Sequence, residues 1–299
     1  MYKISDDELL QELKMRFQEN KKALDELQVL NEELKTANKK LEESEALKSH
    51  FIANIANEIR NPLASILGFA SSILSADEKD WRDIMPMISH IYSEVFYLDF
   101  QFKNIFIAAK LEAGQIAPEI CKIDIRSILL NLIESFKYEA EMKNISIVIN
   151  NGADRKNSIY FKSDSEKLKL ILSNLLSNAI KYSYKDSKID INYKIKGKKM
   201  TISVQDYGEG ISRANQKIIF DRFKRADSGI NSLNRGHGLG LSVNKALLEI
   251  LDGKIEVKTE MNKGTIFTIL LPEATAEITG ISGDDNEVIF NTSEDGDIF

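Results

Sequence analysis

Cysteine, proline and long hydrophobic runs are scarce in this chain of 299 residues. The single cysteine, Cys121, excludes an intrachain disulfide, and no group of Cys and His residues has the spacing of a zinc site. The longest apolar runs, such as 218–220, are far too short to span a bilayer, and the residues after Met1 lack the apolar segment of a signal peptide. We therefore expect a cytoplasmic protein without a membrane segment.

An excess of charge of one sign occurs only at the end of the chain. Residues 273–299 hold eight of the 46 acidic residues and no Lys or Arg, which leaves 38 acidic against 40 basic residues elsewhere. A nearly neutral body argues against nucleic acid as the main partner. The acidic tail is predicted to be disordered.

Proline and glycine are absent from residues 5–50, and this stretch predicts one long helix. Its leucines follow an alternating three-four spacing with charged residues between them, which is typical of a parallel coiled coil; a solvated helical linker is the alternative. The apolar pattern continues through Pro62, which should kink the helix, to residue 74. A second helix is predicted from about 84 to 113, ending at Gly114. The two helices would form a hairpin that buries its apolar face in a dimeric four-helix bundle.

From residue 125 onward, helical and strand patterns alternate. The segregated helices and mostly antiparallel strands predict a two-layer α/β sandwich and an α+β fold class overall. Helices are predicted at 125–142, 165–181 and 241–251, and strands at 145–150, 189–195, 199–205, 254–259 and 265–271. The predicted domains are a coiled coil at 1–48, a helical hairpin at 49–118, the sandwich at 119–272 and the tail at 273–299.

Two glycine-rich segments predict a site that handles phosphate. Asp206–Gly210 has the sequence Asp-Tyr-Gly-Glu-Gly, and Gly236–Leu241 has the sequence Gly-His-Gly-Leu-Gly-Leu. Glycines at such positions let the backbone close on a nucleotide. Asn174 and Asn178 stand four residues apart in a predicted helix, so their amides project from one face. An amide oxygen is a suitable ligand for Mg²⁺.

These motifs resemble the histidine kinases of two-component signalling, over roughly residues 40–272. Four boxes occur in the family's order: an N box at 174–183, a G1 box at 206–210, an F box at 220–223 and a G2 box at 236–241. The resemblance implies the ATP-binding fold that is shared with gyrase, chaperone and mismatch-repair ATPases. It also implies ATP and Mg²⁺ as cofactors, a homodimer, and a response-regulator receiver domain as partner.

The resemblance assigns roles to residues of this chain. Asp206 would accept a hydrogen bond from the adenine amine, and Tyr182 would lie along the ring. Asn178, assisted by Asn174, would hold Mg²⁺, and Lys181 would meet phosphate oxygens. The other nucleotide-binding residues that the resemblance implies are Gly208, Gly210, Phe220, Arg222, Gly236, Gly238, Leu239 and Gly240.

Residues 51–63 resemble the family's H box, but Asn57 stands where the phosphoaccepting histidine belongs. A carboxamide nitrogen has its lone pair delocalised into the carbonyl, so Asn57 cannot take a phosphoryl group as an imidazole does. Glu58, the family's orienting base, is retained. Asn61 is retained too, four residues after Asn57 on the same helix face. The resemblance implies that Asn61 positions water to dephosphorylate a receiver.

Three explanations for Asn57 remain open. The chain could be a pseudokinase with phosphatase or scaffold activity, an active kinase with an engineered His-to-Asn change, or a kinase whose phosphoacceptor is His50, two helical turns earlier. A non-catalytic module positioned by ATP is a different class of function. An ATPase or Ser/Thr-directed kinase is a third class, which is weakened because the N box lacks the Glu that superfamily ATPases use as a base. The leading expectation is a protein that binds Mg-ATP, acts on a receiver domain and has lost autophosphorylation.

Overall fold

The computed structural model describes residues 6–75, 81–151, 160–221 and 238–275. It begins with two long helices, α1 over Asp6–Leu74 and α2 over Trp81–Glu112. The chain divides into two compact units, Met1–Asn57 and Glu58–Phe299. Across the described ranges, no helix combines the length and apolar character needed to cross a membrane.

In the first unit, α1 leaves its apolar stripe exposed to solvent. Charged pairs such as Lys35 with Glu32, at 3.0 Å, lie along the helix, where they contribute little to stability because their side chains are largely exposed to water. An exposed stripe of this kind is compatible with the coiled coil, which stays a prediction. The described stripe residues are each at least 59% exposed: Phe17, Leu24, Leu27, Leu34 and Leu41.

In the second unit, the end of α1 and the helix α2 form the predicted hairpin. The helix continues across Pro62, and the Phe69 ring stacks on His90 of α2 with their centroids 5.1 Å apart. Helix α2 begins three residues earlier than the predicted 84 and ends close to Gly114, as predicted. Large apolar side chains of α2 such as Tyr92 and Phe106 remain exposed. The dimeric bundle that would cover them stays a prediction.

The remainder of the second unit is a sheet with helices on one side. The main sheet has the order β2-β4-β5-β7-β6, in which only β2 and β4 pair in parallel, and β1 pairs with β3 in a separate two-stranded sheet. The elements are β1 Cys121–Asp124, α3 Ile125–Ser135, α4 Lys137–Met142, β2 Ser146–Asn151, β3 Tyr160–Ser163, α5 Ser165–Tyr182, β4 Lys188–Lys196, β5 Lys199–Asp206, α6 Arg213–Gln216, α7 Gly240–Ile250, β6 Lys254–Glu260 and β7 Gly264–Pro272.

The core lies between this sheet and the helices α5 and α7. Every second residue of β5 is buried, which is the pattern of a strand with one face on a hydrophobic layer. The predicted α+β class, a helical hairpin followed by an α/β sandwich, is therefore confirmed. Among the fully buried side chains are Leu168, Ile171, Leu172 and Leu175 of α5 and Ile189, Ile191, Ile202 and Ile269 of the sheet.

Residues 125–142, which were predicted to be helical, form two helices, because Phe136 separates α3 from α4. The Phe136 ring packs edge-on against Phe96 and Phe100 of α2, with centroid distances of 5.3 and 6.0 Å. Three short elements, β1, β3 and α6, were not predicted from the sequence. Most of the acidic tail, from residue 276, lies outside the described residues.

Candidate functional site

Asp206 ends strand β5 and supplies a buried carboxylate, with 4% of the residue exposed. Its Oδ1 accepts hydrogen bonds from the backbone N–H groups of Gly208 and Thr265, each at 3.1 Å. Burial raises the pKa of Asp206 to about 6, because hydrogen bonds from backbone N–H groups only partly offset the desolvation of the charge. Its Oδ2 lies outside both bonds, so it is a strong acceptor for an N–H group of a ligand.

Gly208 lets the chain after β5 lie directly against the end of α5. A Cβ at this position would come within 1.8 Å of the Tyr182 carbonyl oxygen, so no other residue fits without moving the backbone. Gly208 also bridges to Ser183, and the Glu209 N–H donates to the Tyr182 carbonyl at 3.2 Å. The main chain therefore fixes the separation between Tyr182 and the Asp206 carboxylate.

Helix α5 presents the two predicted asparagines in different environments. Asp164 caps its N-terminus, so the helix starts at a defined residue. Asn174 is buried, and its amide donates to the side chains of Asn104 and Asn244 at 2.8 Å each. Asn178, one turn later, is half-buried and lines the cavity described below. Asn178 is therefore the more accessible of the two amides.

An ammonium group caps the other end of α5. Lys143 Nζ donates to the backbone carbonyl oxygen of Ile180 at 2.9 Å and also to those of Lys181 and Ser183. A cation at a helix C-terminus is favourable because the last carbonyls carry negative partial charge. Burial lowers the pKa of Lys143. One residue before the end of the helix, Lys181 Nζ lies 4.9 Å from the ring centroid of Tyr182.

Helix α7 begins beside the same asparagines. Gly238, Leu239 and Gly240 lead into its first turn, and a Cβ on Gly240 would lie 3.0 Å from Asn174 Oδ1. The first turn of α7 therefore packs closely against α5. The N–H groups that open an eleven-residue helix have no partner within the helix and favour an anion such as a phosphate.

Most of these groups border one cavity of about 690 Å³, a volume suited to a ligand of nucleotide size. Gly208 is buried, and neither it nor Phe220 lines the cavity, although Ile219 does. Arg222, Gly236 and the side chain of Glu58 lie outside the described residues. The predicted site residues that line the cavity are Asn174, Asn178, Lys181, Tyr182, Asp206, Gly210, Gly238, Leu239 and Gly240.

No motif in the sequence predicted the wall of the cavity that α2 supplies. Tyr97, Phe100, Gln101 and Asn104 of α2 line the cavity beside Phe136. Their three-and-four spacing is the only signal in the sequence, and the same spacing is found in any helix that packs on a core. The cavity is thus bounded by the hairpin as well as by the sandwich.

Two family models match the chain in the order in which the hairpin and the sandwich occur. The model described as His Kinase A (phospho-acceptor) domain matches residues 47–114, and the model described as Histidine kinase-, DNA gyrase B-, and HSP90-like ATPase matches residues 163–275. Together they cover more than half of the 299 residues. The chain belongs to the histidine kinase family.

Known histidine kinases are similar to this family member over most of its length. It is 28% identical over 253 residues to the signal transduction histidine-protein kinase BarA of Escherichia coli (strain K12), covering 83% of this chain and 27% of BarA. It is 28% identical over 228 residues to the sensor-like histidine kinase SenX3 of Mycobacterium tuberculosis (strain ATCC 25618 / H37Rv), covering 76% of this chain and 54% of SenX3.

A solved structure agrees with these relatives. The crystal structure of full-length ShkA in complex with AMPPNP is 25% identical, with a TM-score of 0.52, and the match covers 75% of this chain and 46% of ShkA. The chain therefore spans half or less of BarA and ShkA and about half of SenX3.

The ATPase domain of this histidine-kinase-family chain implies ATP binding. The residues around the cavity fit that ligand chemically. Asp206 offers a buried acceptor to an amine of the base, whereas the start of α7 and the Lys181 ammonium suit phosphates. The acceptor and the anion-binding groups thus line the same cavity.

Proposed function

We propose that this histidine-kinase-family protein binds Mg-ATP, acts on a response-regulator receiver domain, and does not autophosphorylate at the H-box position. The observation that carries the proposal is Asn57, which stands where the phosphoaccepting histidine of the resembling H box belongs. An attack on the γ-phosphorus requires a free lone pair, and the amide nitrogen of Asn57 has none. The loss concerns this one step and leaves nucleotide binding intact.

The nucleotide half of the proposal is supported by the groups around the cavity. Asp206 Oδ2 accepts from the adenine amine, and Tyr182 covers the ring. Asn178 and Asn174 would hold Mg²⁺ through their amide oxygens, which are hard ligands suited to this ion. When bound, Mg²⁺ neutralises charge on the phosphates, while Lys181 pairs with their oxygens.

The action on a receiver is supported by Asn61, which is solvent-exposed on α1. A side-chain amide can orient a water molecule by hydrogen bonding, as a glutamine does in small GTPases. The water oxygen forms a bond to phosphorus while the bond from phosphorus to the aspartyl oxygen breaks. The products are inorganic phosphate, the free carboxylate of the receiver and a proton released to solvent. No phosphohistidine takes part in this reaction.

A homodimer is the assembly that the proposal requires. The apolar stripe of α1 and several large apolar side chains of α2 are exposed to water, which is unfavourable unless another molecule buries them. Pairing the two helices of one copy with those of a second copy would bury them in a four-helix bundle. Sedimentation analysis of the chain and of Leu27→Lys tests this, with a dimer expected for the first and weakened association for the second.

The decisive experiment is incubation with ATP labelled at the γ-phosphate. We expect no label on the unaltered chain and an acid-labile, base-stable label on Asn57→His. The double variant Asn57→His/Asp206→Asn controls for nucleotide binding and should stay unlabelled. Label on the unaltered chain would refute the proposal, and its disappearance in His50→Ala would assign the phosphate to His50 instead.

The phosphatase activity is tested with receiver domains from the same organism, phosphorylated by acetyl phosphate. We expect the unaltered chain to speed the loss of phosphate from its cognate receiver, and Asn61→Ala to remove that effect. Asn38→Ala, which removes another exposed amide of α1, should behave as the unaltered chain. If the chain binds the receiver without speeding its dephosphorylation, it acts as a scaffold and not as a phosphatase.

A further inference from the structure

Three buried asparagines from three different helices form one hydrogen-bonded cluster beside the cavity. Asn104 comes from α2, Asn174 from α5 and Asn244 from α7, and they are 2%, 3% and 0% exposed. The predicted nucleotide site includes only Asn174. Asn104 belongs to the hairpin, so the cluster joins the helix that follows the H-box region to the two helices that line the nucleotide cavity.

The hydrogen bonds of this cluster run in a fixed direction. The two N–H groups of Asn174 Nδ2 donate to Asn104 Oδ1 and Asn244 Oδ1, both at 2.8 Å. Each acceptor residue is anchored by its own amide, because Asn104 Nδ2 donates to the Phe100 carbonyl and Asn244 Nδ2 donates to the Ile171 carbonyl, both at 3.0 Å. No member can turn its amide over without losing a buried hydrogen bond.

This arrangement determines which atom of Asn174 is offered to a ligand. Both donors of its amide are consumed, and Oδ1 lies toward Gly240, where an added Cβ would be 3.0 Å away. The start of α7 is the predicted phosphate side of the cavity, so a cation carried by phosphates there would meet an oxygen. An amide turned the other way would present N–H groups, which cannot bind a cation.

We propose that Asn104 is a positioning residue: by accepting from Asn174, it turns the Asn174 carbonyl oxygen toward the Mg²⁺ of the bound nucleotide and couples the docking of α2 to cation-dependent nucleotide binding. This inference rests on the proposed Mg-ATP function. Coupling between two binding events is reciprocal, so Mg-ATP should also favour the docked position of α2.

Asn244 alone cannot hold Asn174 in this orientation. Without Asn104, one buried N–H of Asn174 loses its 2.8 Å acceptor, and the acceptor that remains near it is the Gly240 carbonyl, to which Nδ2 already makes a longer hydrogen bond of 3.4 Å. Shortening that bond would move Nδ2 closer to the Gly240 carbonyl and would displace Oδ1 from its present place beside the start of α7. The hydrogen bond to Asn104 of α2 therefore favours the orientation of the Asn174 amide in which Oδ1 faces the phosphate side of the cavity.

The test compares nucleotide affinity with Mg²⁺ and with EDTA, by titration calorimetry on the full chain. Asn104→Leu removes the acceptor and should reduce the gain in ATP affinity produced by Mg²⁺ roughly fivefold, with little change in EDTA. Asn104→Asp should restore the gain near pH 6, because a carboxylic acid buried there stays neutral and can make both hydrogen bonds of the amide. Asn131→Leu, the same change at an exposed position of α3, is the matched control.

Hydrogen exchange supplies a second measurement, independent of any reaction. Mg-ATP should slow exchange in the segment of α2 around Asn104 in the unaltered chain and should do so less in Asn104→Leu. If Mg²⁺ raises the ATP affinity of Asn104→Leu as much as that of the unaltered chain, or more, this inference alone is overturned. The hydrogen bond from Asn174 to Asn104 would then be neutral or inhibitory for cation-dependent binding. An unaltered chain that fails to bind Mg-ATP would overturn the proposed function as well, so the two failures are distinguishable.

Discussion

Replacing Asp206 with asparagine should make the protein more stable and at the same time unable to hold its nucleotide. The side chain keeps its shape, and the amide oxygen can still accept from the backbone N–H groups of Gly208 and Thr265. What changes is the charge, which is buried, and the second polar atom, which turns from an acceptor into a donor.

The size of the stability change follows from the pKa of the carboxyl group. Burial raises that pKa from 3.8 to about 6, which corresponds to about 3 kcal/mol against the ionised form in the folded state. Because the folded state binds the proton more tightly, the stability from this group is fully present below pH 3.8 and is lost as the pH rises through about 6. Asparagine never ionises, so Asp206→Asn should unfold with a free energy about 1–3 kcal/mol higher at pH 8.

The effect on ligand affinity has the opposite sign. An amide N–H at the position of Oδ2 would face the amine of adenine, so two donors would meet in a buried site. We expect the affinity for ATP to fall roughly 10- to 100-fold. A variant that is more stable but binds more weakly cannot be explained by unfolding.

Urea denaturation followed by circular dichroism between pH 4 and 8, together with calorimetric titration of ATP, measures both effects. Asp190→Asn is the matched control, because Asp190 is also buried but its pKa is lowered. Burial would raise it, but hydrogen bonds from Lys188, Tyr207 and Asn150 together outweigh that effect. Asp190→Asn should therefore lose stability at pH 8. A destabilised Asp206→Asn, or one with unchanged ATP affinity, would refute the reasoning.

Three further predictions concern the C-terminal part of α5. Gly208→Ala should abolish ATP binding and lower the melting temperature, since its Cβ would lie 1.8 Å from the Tyr182 carbonyl oxygen; ATP affinity equal to that of the unaltered chain would contradict this. Lys143→Met removes the cation at the C-terminus of α5 and should reduce the free energy of unfolding, measured by urea denaturation, by about 1–2 kcal/mol. An unchanged urea midpoint would indicate that water replaces the ammonium group. Asn178→Ala should weaken ATP binding in Mg²⁺ but not in EDTA, so an equal loss in both media would remove the assigned role in metal binding.

The elements that the sequence predicted well are those with a strong local period. Helix α5 was expected at 165–181 and is found at Ser165–Tyr182, because its apolar residues recur on one face and Asp164 caps its start. The strands β4 and β5 were expected on either side of Gly197, and they pair there with the register Lys196 to Lys199.

The elements that the sequence did not predict depend on contacts between distant residues. Strands β1 and β3 have four residues each, too few to show a period, and Cys121 pairs with Ser163 far along the chain. The break between α3 and α4 lies at Phe136, whose ring packs on Phe96 and Phe100 of α2, and no local pattern encodes this contact. In the site, the glycine motifs pointed to Asp206, whereas Asn104 has no motif and its partner Asn174 follows 70 residues later.

The Asp206 carboxylate accepts hydrogen bonds from main-chain N–H groups, and main-chain atoms lie close to the glycines beside it. Gly208 lies against the backbone of Tyr182, and a Cβ on Gly264 would come within 2.1 Å of the Asp206 carbonyl oxygen. Other side chains around the site can change without displacing the Asp206 acceptor, provided that Gly208 and Gly264 remain glycine. In the proposed complex, base recognition built on main-chain positions would tolerate changes in the surrounding side chains, so the pocket walls could be redesigned while those glycines are kept.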